Sequence, residues 1–381
     1  MANVNIKEVN GGEATTIGDD DGFEKDDGVT STWVKFSTLR ALLGGQIASR
    51  NNLLVNGGFT FAQRQAPGTL TTITIDKYSA DRWRISRENA DLQYQRNDAL
   101  GETGLTSQYY GLWKKITNAG KLVVYQILEG ANSVPLRSKT VTFSAYMKAS
   151  SAKTIRMAVL ELQTAGAIDT IPGTFVTAYG ANSTDPTFGA NVAIITGAES
   201  KSVTTSWTAF SVTVTVPATS KNIIVAFWSD SQFSANDTLS VAQAGLYVAS
   251  YALPWVATPK LQDLQACQRH YFKTFLIDTA PAQNIGANTG EWSQPATAAG
   301  AATERGPKLI YPVPMFATPT LTTYSILAAS AEFYDATALA VCTAASSVNP
   351  SPSGVQLQCT GAAGTAVGNS LRVHLTAEAE L

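Results

Sequence analysis

Residues 139–150 read KTVTFSAYMKAS, and the apolar positions fall on every second residue. Val141, Phe143, Ala145 and Met147 face one way, and Thr142, Ser144, Tyr146 and Lys148 the other, a period of two that predicts a half-buried β-strand. The stretch WTAFSVTVTVPA repeats the rule, with Phe210, Val212, Val214 and Val216 opposite Ser211, Thr213 and Thr215. KNIIVAFWSD is apolar on both faces, as a central strand between two layers must be. Clusters of Gly, Pro, Asn and Ser such as YGANSTDPTFG separate these runs. About 200 residues of this pattern, 47–257, predict a β-sandwich of the jelly-roll kind.

The region opens with NLLVNGGFTFAQRQ at residues 52–65. Residues 53–55 read as a short apolar strand, and Asn56-Gly57 as a turn that tolerates positive φ directly after it. Upstream, residues 1–46 form a separate leader. GDDDGFEKDDG is acidic and rich in turn formers, but an EF-hand reading fails on register. Taking Gly22 as the loop glycine puts Ile17 at the first ligand position, and taking Gly28 puts Lys25 at the third. Trp33, Val34 and Phe36 predict a short strand, Ser37 caps a brief helix over residues 38–43, and Gly44-Gly45 ends it. So small a module cannot hold a core by itself and must dock on a partner.

Past residue 257 the period changes. TPKLQDLQACQRHYFKTF has a Thr cap, a Pro at the first helical position, and Leu261, Leu264, Cys267, Tyr271 and Phe275 near helical spacing. Residues 258–276 therefore predict one amphipathic connecting helix, followed by an irregular Ala/Gly/Thr-rich stretch over 277–306. Later segments, ending in SLRVHLTAEAEL, alternate again and predict a smaller C-terminal β-sandwich domain over 277–381. In that last strand Leu371, Val373 and Leu375 face the core, and Arg372, His374 and Thr376 face solvent. The fold expected is all-β, with a single short helix at the junction.

Composition narrows the function. Of the 381 residues only 15% are charged against 44% hydrophobic, so polarity comes from Thr, Ser, Asn and Gln, which suit pleated surfaces. With a net charge of −2 there is no basic stripe to neutralise phosphates, which argues against nucleic acid as a partner. No run of about 18 apolar residues predicts membrane insertion, and the N-terminal stretch lacks the apolar segment of a secretory signal, so synthesis in a cytoplasm is expected. Cys267, Cys342 and Cys359 show no CxxC spacing and read as buried or free thiols, with a Cys342–Cys359 approach across a hairpin left open.

Catalytic patterns are thin. The chain has two histidines, His270 and His374, and no GxSxG, GxxxxGK or HExxH. No catalytic residue, metal site or cofactor is predicted. A glycosidase would need paired acids, and the only sequence lead is Asp76, Asp81, Glu88 and Asp91; Arg82, Arg84 and Arg87 alternate with them, as on a solvated, salt-bridged strand face. Aromatics on irregular segments are the better lead, because a flat ring beneath a sugar's C–H face with polar groups at the rim is a sugar-binding device. The candidates are Tyr109 and Tyr110 in SQYYGLWKK, and Trp292 with Asn288 and Glu291 in a glycine-flanked, exposed loop. Trp113 is read as core.

Several strings taken together resemble bacteriophage tail-fibre and receptor-binding proteins: NNLLVNGGFTFAQRQ followed by YSADRW, LRSKTVTFSAYMKAS, LQACQRHY, YPVPMFATPT and the ending HLTAEAEL. The leader is similar to virion-anchoring N-termini of such fibres. The resemblance implies a structural virion protein of the tail, a homotrimer. Residues 1–46, with Trp33, Phe36, Leu39 and Leu42, would hold it to other tail or baseplate proteins, and a jelly roll similar to carbohydrate-binding modules would contact a host surface polysaccharide. Two alternatives stay open: a head fibre, decoration or tail-adaptor protein with no receptor role, and a component of a capsule-degrading enzyme.

Overall fold

The computed structural model describes residues 52–73, 77–89, 92–286 and 290–381, together with the backbone of Val4–Asn5, Gly22–Asp26 and Ser31–Lys35. Those three segments pair antiparallel into a small sheet. Ser31–Lys35 is the strand expected around Trp33. Phe36, Leu39, Leu42 and the helix expected over residues 38–43 lie outside the described residues.

The large unit is a two-sheet sandwich. Its front sheet runs, in spatial order, Thr208–Thr215, Thr140–Ala149, Thr238–Tyr247, Tyr109–Lys115, Leu92–Asp98 and Thr71–Thr72. Its back sheet runs Val192–Ile194, Lys153–Leu162, Asn222–Ser229, Leu122–Ile127, Arg84–Arg87 and Lys77–Tyr78, with Glu199–Val203 also pairing to Lys153–Leu162. The alternation of Thr140–Ala149 holds: Val141, Phe143, Ala145 and Met147 are buried between the sheets. All eight residues of Asn222–Ser229 are buried, because the outer face of the back sheet is itself covered. There Phe175 stacks on Tyr125 at 3.8 Å, and Phe188 meets Trp228 edge-on at 5.8 Å.

Residues 53–55 are not a strand. The positive φ angles fall on Asn56 (56°) and Phe59 (54°), not on the two glycines between them. The glycines are there for close approach. A Cβ on Gly57 would sit 2.1 Å from the Ala244 carbonyl oxygen, and one on Gly58 would sit 3.0 Å from the Trp255 ring. Asn56 satisfies the turn through its side chain, which accepts the Phe61 N–H (3.0 Å) and donates to the Phe61 and Asp81 carbonyls (2.8 and 3.0 Å).

The junction helix is Lys260–Gln268, shorter than expected, and it is not amphipathic in the expected register. Leu261 is exposed, while Asp263 and Cys267 are the buried positions. The reason is specific: Asp263 Oδ1 accepts the Asn56 N–H at 2.8 Å and pins the helix to the turn below it. Burial pushes the Asp263 carboxyl up to about 6. Tyr271–Lys273 has already left the helix and pairs with Ser370–Glu378, the central strand of the C-terminal unit.

That strand also pairs with Trp292–Pro295, Thr320–Tyr324 and Tyr334–Asp335. A second sheet of Thr303–Ile310, Gly354–Thr360 and Thr343–Ser351 packs across it around Phe333, Val355, Leu357, Leu371, Val373 and Leu375. His374 is fully buried, against the expectation of a solvent-facing residue. Its ring stacks on Phe275 at 4.1 Å and its Nδ1 meets Thr274 Oγ1 at 3.0 Å, so the segment after the helix covers the outward face of the strand. Cys342 and Cys359 are free, buried thiols in hydrogen-bond contact.

The two units meet through buried charge. Asp81 and Arg82, expected on a solvated face, are buried at the joint, because the chain end and residue 64 supply partners that lie far away in sequence. Arg82 pairs with Glu380, Arg64 reaches Glu380 at 3.1 Å and Asp81 at 3.8 Å, and Gln63 donates to Asp81 at 2.6 Å. Burial alone would raise the Glu380 carboxyl, but Arg82 and Arg64 outweigh it and hold it down to about 2. His270 lies on the same joint, with Nε2 3.0 Å from Glu129 Oε1, and Arg269 grips both Glu129 oxygens at 2.8 and 2.9 Å. Asp76 and Asp91 lie outside the described residues, and Glu88 is exposed.

Candidate functional site: a cleft on the outer face of the front sheet

Three strands of the front sheet carry the site. In Thr140–Ala149 the outward register holds Ser144, Tyr146 and Lys148; in Thr208–Thr215 it holds Ala209 and Ser211. Between residues 144 and 146 the pairing of Thr140–Ala149 with Thr238–Tyr247 slips, Ser144 opposing Gly245 and Tyr146 opposing Ala242. This is a β-bulge, and Gln243 sits in it with φ 52°. A bulge breaks the strict alternation and re-aims a side chain. With its amide oriented as the neighbouring donors require, the Gln243 carboxamide oxygen accepts the Thr106 and Ser107 N–H groups at 2.5 and 3.1 Å.

Beyond the bulge, strand Thr238–Tyr247 no longer pairs with Tyr109–Lys115, whose partners end at Val241. The 52–57 turn takes over that edge. Leu53 donates to the Leu246 carbonyl (3.0 Å), Ala244 donates to the Gly57 carbonyl (2.9 Å), and Asn52 accepts the Leu246 N–H while donating to the Ala244 carbonyl (both 3.1 Å). Gly58 then packs against Trp255. Residues 52–58, NLLVNGG, are thus the support on which the bulge and the Trp255 ring rest.

The result is a cleft of about 330 Å³. Tyr146 and Trp255 provide its rings, Ser144 and Ser211 its polar side chains, and the returning segment 252–255 one wall, while Phe210 packs inward on the core and Gln243 is buried at its floor. Tyr146 continues into a second aromatic group on the same face, packed with Tyr110, Leu112 and Trp207 around Ala242. Trp207 meets Tyr110 edge-on at 5.3 Å and donates its Nε1–H to Glu102 at 2.8 Å. Lys148 bonds the other Glu102 oxygen at 2.5 Å and lies over both rings, 5.4 Å from Tyr110 and 4.9 Å from Trp207. Burial would raise the Glu102 carboxyl, but the bonds from Lys148 and Trp207 prevail and hold it below the usual range.

A surface of aromatic rings with hydroxyl groups between them stacks on C–H faces and bonds hydroxyls. The cleft holds no carboxylate among the described residues, and the nearby Glu102 is engaged on both oxygens. Among the described residues no three His, Cys, Asp or Glu side chains converge as a metal would require.

No family model matches the chain, and neither does any curated protein. Solved structures do show similarity. The enzymatically active domain of tailspike protein 4 of bacteriophage CBA120 is 10% identical over 53% of this chain and 22% of that one, with a TM-score of 0.33. The carbohydrate-binding module TmCBM61, solved with beta-1,4-galactotriose, is 12% identical over 52% of this chain and 99% of its own, with a TM-score of 0.30. The CBM22-1 xylan-binding domain of Paenibacillus barcinonensis Xyn10C is 11% identical over 49% and 99%, with a TM-score of 0.29. At such scores these similarities do not bear on function.

The residues expected from sequence do not come together. Tyr109 and Tyr110 belong to the regular strand Tyr109–Lys115, not to an irregular segment, and being consecutive they point to opposite faces. Tyr110 joins the outer-face group, whereas Tyr109 lies 4.6 Å from the Arg96 guanidinium. Trp292 is not in an exposed loop. It opens strand Trp292–Pro295, pairs with Val373, and packs edge-on to Phe333 at 5.9 Å in the second core. Gly306 leaves room for its ring, since a Cβ there would lie 2.0 Å from it. Glu291 binds Arg372 at 3.2 Å, and Asn288 lies outside the described residues. Trp113 is core, as expected.

Proposed function

We propose that this chain binds glycan without turning it over, as a structural subunit of a bacteriophage tail fibre that attaches the particle to a host surface polysaccharide. The observation that carries the binding part is the aromatic cleft at the Gln243 bulge, open on the outer face of the front sheet and flanked by Tyr110, Trp207 and Lys148. The cleft offers stacking and hydroxyl recognition and no acid pair, which supports adhesion over hydrolysis. The phage assignment is supported by the run of fibre-like strings along the sequence. In this reading residues 1–46 hold the chain to the tail, and assembly in threes makes weak single contacts useful, since linked sites gain roughly 10²–10⁴ in avidity.

Retention of the purified full-length chain on a broad glycan array tests the binding part. Retention lost in Tyr146→Ala and in Trp207→Ala supports it, and retention unchanged in both variants contradicts it. A chain lacking residues 1–46 is expected to stay out of particles, and its normal incorporation would refute the anchoring role.

A further inference from the structure

We infer that the cleft is selective for an electrically neutral saccharide and rejects sugars that carry a carboxylate. The inference rests on the glycan-binding reading of the outer face and specifies the ligand's chemistry. Among the described residues the lining, Ser144 to Tyr146, Ala209 to Ser211, Gln243, and 252–255, is uncharged. Binding a uronate or sialate needs a cation that remains in contact with the carboxylate as water leaves, and arginine or lysine does this in charge-assisted pairs. Lys148, two residues from Tyr146 on the same strand face, is already neutralised by Glu102 at 2.5 Å, and Glu102 is also bonded by Trp207. Lys148 cannot swing to an acidic sugar without stranding the Glu102 carboxylate beside two rings.

The same geometry acts against acids as well as for neutral sugars. With the Lys148–Glu102 pair neutral as a whole, an incoming carboxylate finds no free cation and would be desolvated unpaired, and specificity arises from that cost. A neutral sugar loses nothing there. Its hydroxyls find Ser144 and Ser211, and its C–H face finds Tyr146 or Trp255. Because no net charge changes partners, the affinity should be nearly independent of salt.

The test compares the full-length protein on lactose, cellotriose and maltotriose with the same protein on sialyllactose and trigalacturonate, at low and high ionic strength. Neutral probes should be retained equally at both, acidic ones about tenfold more weakly or worse, and Trp255→Ala should abolish retention. Ser211→Lys, which adds a cation to the lining at a half-buried hydroxyl, should raise binding of the acidic probes; this variant keeps the test decisive even if Trp255→Ala misfolds. Acidic probes held as tightly as neutral ones, and lost in Trp255→Ala, would overturn the neutral selectivity while leaving the site intact. Retention of no probe, or retention indifferent to both Trp255→Ala and Tyr146→Ala, would remove the site and the selectivity with it.

Discussion

Asp263 is an acid in an unfavourable place, and replacing it by asparagine should stabilise the protein at neutral pH. The carboxyl is 6% exposed, and its one favourable bond is from the Asn56 N–H at 2.8 Å; Asp81 nearby adds repulsion. Burial moves it from 3.8 to about 6. Below pH 3.8 the carboxyl is neutral in both the folded and the unfolded chain, and ionisation costs nothing. As the pH climbs from there to about 6 the unfolded chain releases its proton first, so native stability falls. Above about 6 the loss is constant, about 3 kcal/mol as an order of magnitude. Asp263→Asn removes the charge and keeps an acceptor for Asn56. Its urea midpoint should match the wild type near pH 4 and exceed it near pH 7.5, with unchanged glycan retention. A variant less stable than wild type at pH 7.5 but equal at pH 4 would refute the reasoning, because it would mean that the charge itself stabilises the joint.

Other perturbations follow the same logic. Gly58→Ala places a methyl group 3.0 Å from the Trp255 ring, so it should weaken glycan retention with little change in melting temperature; unaltered retention would detach the turn from the site. Trp292→Ala should leave retention unchanged and destabilise the C-terminal unit by about 2 kcal/mol, measured by denaturant unfolding, since its half-buried ring packs against the second core. Glu380→Ala leaves Arg82 buried without its partner and should cost about 3–5 kcal/mol, an effect that added salt does not reproduce.

Much of the sandwich was legible, because its strands obey a rule that depends only on neighbours. Thr140–Ala149 and Asn222–Ser229 are where their patterns place them. The misreadings share one physical cause, burial imposed by elements distant in sequence. His374 is covered by the segment around Phe275, Trp292 by the final strand, and Asp81 and Arg82 by Glu380. The helix misled for the same reason, since a bond to Asn56 more than 200 positions away put an acid inside and left Leu261 outside. For the site, one signal was present and passed over. Tyr146 occupies the polar register of an alternating strand, and Trp207 falls in the same register one residue ahead of Thr208–Thr215, where a large ring has no core to fill. The bulge at Gln243 had no such mark, since it arises from pairing between strands and not from either strand alone.

The most direct measurement of the central claim is the structure of the full-length protein soaked with a retained oligosaccharide. A sugar ring lying on Tyr146 or Trp255, with hydroxyls bonded to Ser144 or Ser211, is the predicted result. A sugar bound elsewhere on the chain, with the outer face of the front sheet empty, would contradict it.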